Sequence, residues 1–316
     1  MPELDFLPVL GAIAPVFVIL AFGLGARWSR LLPAACEDAI LKVVLNVLYP
    51  CLVFDKILGN DQLRDPVPLL WAAGAGFLLV TTLMLVGRAL AGPMAGIKAP
   101  EGRGTFAMAS GIQNYGFFAI PVLLSVYPED RAAHGLLFVH SIGVEVAMWT
   151  VGMTLLRGAG GGSFRSALNV PLFAIAAALI LNAFGFRFPS PVTNALHQLG
   201  TGCVPIGIFT IGFTTAGLLR GWRPRVRVCA TGVLVRLLIA PSLFLGGLAL
   251  LPFPEPVRHL LIIQAAMPAA IMPIVLARAY GGRPGIAIEV AAATSVLSIF
   301  TIPLVIALAK TLLEGG

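Results

Sequence analysis

The sequence predicts an all-α membrane protein: ten transmembrane helices forming two inverted five-helix repeats, with the fourth and ninth helices broken. Three observations carry this prediction. Hydrophobic residues make up 58% of the 316 and charged residues only 11%, less than half the roughly 25% charge of an ordinary soluble domain, and the mean hydropathy is +0.95. Such a chain cannot cover its apolar surface in water, so its solvent is lipid. The apolar residues also gather into ten stretches long enough for a bilayer core of about 30 Å, which takes roughly 20 helical residues. Finally, two stretches share a pattern, GIQNYGFFAIPVLLSVYPEDR at 111–131 and AAMPAAIMPIVLARAYGGR at 265–283. In each, a Pro-aliphatic-aliphatic-Leu run is followed by a tyrosine and an arginine.

Span one (6–28) overlaps the segment MPELDFLPVL, whose acids stand where a secretory signal carries bases, so this span is expected to be retained. Span two (37–58) contains Lys42 and Pro50 and ends on Asp55 and Lys56, expected to be hydrated at the outer surface. Span three (68–90) is continuous, span four (105–126) holds the first broken pattern, and span five (133–156) carries His140 and Glu145. The loop GAGGGS then divides the chain into a first repeat (1–157), a cytoplasmic linker (158–168) and a second repeat (169–316). Beyond it, span six (170–186) precedes span seven (192–219), whose Pro205 occupies the place of Pro50. Span eight (226–250) contains Arg236, span nine (257–280) the second broken pattern, and span ten (286–311) has Glu289 near its start, expected to be solvated. An odd number of spans per half puts the halves in opposite orientations, which makes the repeat an inverted one.

Charge sets the orientation. Thirteen lysines and arginines lie in the loops after odd-numbered spans and six on the other side, so the odd loops are cytoplasmic and both termini outside. The formal charge of +7 follows from those loops and needs no nucleic acid. Cys36, Cys51, Cys203 and Cys229 form no CxxC pair, and His134, His140, His197 and His259 have no ligand spacing, so neither a metal nor another cofactor is expected.

The broken spans carry the chemistry. A proline inside a helix deletes a hydrogen bond and displaces a carbonyl, and backbone groups freed in lipid cost several kcal/mol each unless protein, water or ligand satisfies them. In span four, Gly111, Gly116 and Pro121 bracket Gln113, Asn114 and Tyr115; in span nine, Gln264 precedes Pro268 and Pro273. Two spans breaking and crossing at the midplane would bring two positive half-helix N-termini together, a site for a carboxylate or similar anion, with Asn114 as an amide donor. The alternative is that the amides only bond neighbouring helices. An intramembrane ionisable residue is a functional candidate by default, which makes Glu145 either a protonation site coupling transport to the proton gradient or a structural partner of Arg236.

With these residues in place, the chain resembles the auxin efflux carrier family of bacterial and archaeal permeases and plant PIN exporters. The resemblance runs over nearly the whole length, in LYPCLVFDKIL of span two, NYGFFAIPVLL of span four, VPIGIFTIG of span seven and QAAMPAAIMPIVLARAYGG with IPLVIAL at the end. It implies a scaffold of spans one, two, six and seven and a mobile transport domain of the others. It also implies a crossover at Pro121 and at Pro268 or Pro273, and a carboxylate-contacting asparagine at Asn114. Elevator-like movement would slide that site past a scaffold face bearing Pro50, Val204 and Pro205. The short linker lacks the long hydrophilic loop of the plant exporters and suggests a prokaryotic chain, hence a bacterial inner membrane. Glu145 stands where the plant proteins carry an uncharged polar residue.

The expected function is therefore secondary transport of a small organic anion, with H+ or Na+ as coupling ion and a homodimer as the assembly. A channel or receptor is the alternative, but no charge ring or carbonyl filter motif is present. An enzyme is not expected, since HExxH, GxSxG and a paired-Asp arrangement are missing, and without GxxxxGK[ST] direct ATP-driven transport would require another subunit.

Overall fold

The computed structural model describes residues 6–158, 161–162, 168–219 and 224–313, and all regular structure among them is helical. Most of the expected linker, with Arg165, and the bases Arg220 and Arg223 lie outside the described residues. Among the described residues, five helices are long and apolar enough to cross a bilayer: Pro66–Leu90, Arg131–Arg157, Ser190–Gly217, Val226–Leu250 and Pro284–Leu313. Two shorter apolar helices accompany them, Ile13–Trp28 and Val170–Ala183. The other expected spans are divided into pieces, and the local sequence explains where.

Helix α1 (Phe6–Trp28) leads to α2 (Cys36–Val43), a π-helical turn (Val44–Leu48) and α3 (Tyr49–Ile57). That π turn ends two residues before Pro50, and a second one (Leu234–Ile239) ends two residues before Pro241. Proline has no N–H and crowds the carbonyl four residues back, so the turn before it widens rather than breaks. Helix α4 (Pro66–Leu90) starts on an Asp65 cap that accepts from the Val67 N–H, supplying one of the bonds a helix start lacks. Next come α5 (Pro100–Gly111) and α6 (Ala119–Val126), then α7 (Arg131–Ala147), a π turn (Met148–Gly152) and α8 (Met153–Arg157). The second half runs through α9 (Val170–Ala183), α10 (Ser190–Leu219), α11 (Val226–Val233) and α12 (Ala240–Leu250), followed by α13 (Glu255–Ala266), α14 (Met272–Ala279) and α15 (Pro284–Leu313).

By packing, the helices sort into two groups. One is built on α10, against which α1 and α3 lie, with α9 beside α3. In the other, α4 packs on α5 and α7, α5 on α8 and α15, and α13 on α7, α12 and α15. Apolar helices in lipid gain little from burial against each other, so close backbone approach holds them. Glycine provides it. A side chain at Gly23 or Gly212 would strike the facing backbone of α10 or α1, and one at Gly76 or Gly143 the backbone of α7 or α4. Large apolar side chains such as Phe22, Leu70, Phe173 and Phe300 are exposed, as lipid-facing positions require.

Candidate functional site

Two unwound segments meet between the half-helices. Residues 112–118 separate α5 from α6 and residues 267–271 separate α13 from α14, and the two run antiparallel with a bridge between Gln113 and Ala269. The Asn114 N–H donates to the Pro268 carbonyl at 2.8 Å and the Ala270 N–H to the Ile112 carbonyl at 3.0 Å. Backbone groups released by unwinding therefore satisfy one another, which is what allows irregular backbone at this depth. Pro121 and Pro273 lie in the first turns of α6 and α14, where a missing N–H is no loss. Pro268 alone of the three stands inside a break.

A buried amide chain locks the crossing. His140 Nδ1 lies 3.2 Å from the Ala72 carbonyl, which can only accept, so that nitrogen carries the proton and Nε2 accepts from Gln113 Nε2 at 3.2 Å. The same Gln113 amide donates to Gln264 Oε1 at 3.3 Å, and Gln264 Nε2 donates to the Tyr115 carbonyl at 3.2 Å. Gln113, Gln264 and His140 are fully buried. Gln113 Oε1 has no partner among the described residues.

A cavity of about 360 Å³ opens beside the crossing, lined by Asn114–Phe117 of the first break and Ala270–Met272 at the second. The size is within the usual range for small ligands, about 300–1,000 Å³. Asn114 is 8% exposed; its Oδ1 accepts from the Phe118 N–H at 3.5 Å, and its Nδ2 has no partner among the described residues. Glu145, also on the cavity wall, accepts from Tyr115 Oη at 2.5 Å, Trp149 Nε1 at 3.0 Å and Asn169 Nδ2 at 3.4 Å. Asn169 also caps α9 through the Leu172 N–H.

The wall also includes Asn46 of the first π turn, Tyr49 just after it, and Gly207, Thr210, Ile211 and Thr214 of α10. Pro50, Val204 and Pro205 are not in it; Pro50 and Val204 are half-buried and Pro205 is exposed. The stripe from Gly207 to Thr214 recurs at three- and four-residue spacing, a helical periodicity readable in the sequence. Glu37, also on the wall, accepts from Thr214 Oγ1 at 2.9 Å and lies 3.7 Å from Arg27.

Several charges lie elsewhere than expected. Arg236 does not pair with Glu145: it is fully buried and donates from Nη1 to the Gly111 carbonyl at 3.3 Å, its guanidinium 6.0 Å from the Phe244 ring. A cation is favourable there because helix carbonyl ends are negative. Glu289, expected to be solvated, is 5% exposed and accepts from Arg225 Nε through both oxygens, at 3.0 and 3.1 Å. Asp55, expected to be hydrated, has a side chain only 10% exposed, 3.0 Å from His197 Nδ1 and 2.9 Å from Lys56. Glu289 and Asp55 each found a basic neighbour, distant in sequence or beside it on the chain, and hydropathy alone does not reveal such pairs. No cluster of metal-ligating side chains occurs among the described residues.

A family model described as membrane transport protein matches residues 8–164 and 162–306. An uncharacterized transporter of Methanothermobacter thermautotrophicus is 22% identical over 277 residues, 84% of this chain and 86% of its own length. One of Methanocaldococcus jannaschii is 22% identical over 276 residues, 84% of this chain and 88% of the relative. A probable auxin efflux carrier component 1b of Oryza sativa subsp. japonica is 24% identical over 120 residues, 36% of this chain and 21% of the rice protein. Since a single family model accounts for almost every residue that builds the crossing and its cavity, the chain belongs to the membrane transport protein family, that of the auxin efflux carriers, and is a transmembrane transporter.

Proposed function

We propose that the protein is a secondary transporter that moves a small organic anion across a bacterial inner membrane by alternating access. One observation carries the substrate class: the segments that lead into both second half-helices, Asn114–Phe117 before α6 and Ala270–Met272 at the start of α14, open on the same cavity. Helix N-termini carry partial positive charge and free N–H groups, so a carboxylate placed there meets two such ends and the unpartnered Asn114 amide. The mechanism follows from the packing. Spans one, two, six and seven, the α10-centred group, serve as scaffold, and the other six spans carry the crossing past it, as an inverted repeat of ten spans permits.

The cavity rim includes Glu37 at the start of α2 and Asn169 before α9, on the side that the arginine count assigns to the cytoplasm. On this reading the cavity is that of an inward-open state, the termini lie outside, and the assembly is a homodimer. Glu145 is the coupling group, exchanging H+ or Na+ as the site changes sides. The test is uptake into proteoliposomes as a function of pH. Glu145→Gln is expected to flatten the profile; a profile identical to that of the unmodified protein would assign Glu145 a structural role.

A further inference from the structure

The cavity is electrically lopsided. Two carboxylates, Glu37 and Glu145, stand on its wall, and among the described residues no lysine, arginine or histidine does. Glu37 is balanced by Arg27 at 3.7 Å. Glu145 is not: all three of its hydrogen bonds come from neutral donors, Tyr115, Trp149 and Asn169. Arg236, the buried base of the crossing, is turned to the Gly111 carbonyl and is absent from the wall. A ligand carrying only negative charge would thus bring its carboxylate to the helix starts and leave its other end beside an uncompensated acid.

We infer that the substrate is a carboxylic acid that also bears a positively charged amine at its far end, carboxylate on Asn114 and the two half-helix starts, ammonium on Glu145. The inference rests on the anion reading of the crossing and deepens it. Two features fix the arrangement. At the anionic end, Asn114 is more than nine-tenths buried, lines the cavity and has no partner for its Nδ2 among the described residues. At the cationic end, the hydroxyl of Tyr115, the next residue, reaches Glu145. The amine is accordingly assigned to the end of the substrate away from its carboxylate, with methylene groups between the two. The cavity wall between them, with Tyr49, Phe117, Ile142 and Met272, suits an apolar linker. An ammonium and a coupling ion would compete for one carboxylate, so substrate and H+ or Na+ would occupy Glu145 in turn, as exchange at a coupling group requires.

The test is ligand-induced thermal stabilisation of the purified, detergent-solubilised protein with ε-aminocaproate, caproate and hexylamine. A ligand that binds only the native state raises its melting temperature according to concentration over Kd. We expect ε-aminocaproate to act at concentrations at least tenfold below caproate, and Glu145→Gln to close that gap, while Asn114→Ala weakens both acids. Equal potency of the two acids on the unmodified protein, or a gap that survives Glu145→Gln, would overturn the ammonium assignment. The anion reading would then stand, because caproate would still depend on Asn114. Hexylamine as potent as ε-aminocaproate, or no response to either acid, would instead remove the anion reading and this inference with it.

Discussion

The two breaks share a backbone geometry but not a chemistry. Each follows a half-helix, donates one backbone hydrogen bond to the other and leads into a second half-helix. The first break offers Gln113, Asn114 and Tyr115, whereas the second is Met267, Pro268, Ala269, Ala270 and Ile271. Their supports differ too. The end of α5 is held by the buried cation Arg236, and the segment after α13 by a neutral hydroxyl, Thr294 Oγ1, which accepts from the Ala269 N–H at 3.2 Å. Duplicated backbone brings two breaks together, and only the first carries polar side chains, the ones the proposed function assigns to recognition. Changes in the first break should therefore appear in binding, and changes around the second in stability.

The sharpest way to break this contrast is Asn114→Ala. Hydrogen bonds to charged groups are worth about 1.5–3 kcal/mol, which corresponds to roughly a ten- to hundredfold loss of affinity. Uptake at a fixed low substrate concentration should fall by that factor while the protein stays folded in the membrane. Unchanged uptake kinetics would mean that the polar side chains of the first break have no part in recognition, and the asymmetry would be ornament. On the other side, Thr294→Val keeps the shape and removes the acceptor of a buried N–H, an expected cost of about 1–3 kcal/mol. Its signature is a lower melting temperature with ligand affinity preserved; a loss of affinity without a loss of stability would put recognition on the second break as well.

Much of the crossing was legible in the sequence, because helix breakers and apolar runs are local signals. Gly111, Gly116 and the repeated prolines pointed to both unwound segments. What the prolines do was less legible: Pro121 and Pro273 start helices rather than interrupt them, since the first turn has no hydrogen bond for proline to remove. The surroundings of Glu145 were hidden for another reason. Its partners Tyr115 and Asn169 come from 30 residues before it and 24 after it, and Arg236 reaches a carbonyl 125 residues away. A sequence counts such charges without giving their directions. Likewise the resemblance supplied Val204 and Pro205 for span seven, whereas the neighbouring stripe at Gly207, Thr210 and Thr214 faces the cavity; helix rotation decides between adjacent stripes.

The smallest expected effects lie at the outer ends of the broken helices, where the pairing is again reciprocal. Glu101 in the first turn of α5 accepts from Arg283, which follows α14, and His259 on α13 lies 2.6 Å from Asp130, which follows α6. The Glu101–Arg283 pair is open to solvent and the Asp130–His259 pair is mostly buried, with both side chains 16% exposed. Burial alone would raise the Asp130 pKa, but bonds from His259 and from the Ala133 N–H override it and hold the carboxyl below its usual range. A carboxyl depressed in the folded state contributes stability that is present above its unfolded pKa and lost as pH falls through the folded value. Asp130→Ala, which also removes the cap of α7, should therefore lower stability at neutral pH by about 1 kcal/mol, and the deficit should shrink in strongly acidic solution. Arg283→Ala should leave the melting temperature nearly unchanged, with any shift erased by salt, because exposed pairs are screened. A larger loss from Arg283→Ala than from Asp130→Ala would mean that the open end of the crossing is the one under load, the reverse of what the burial of the two pairs implies.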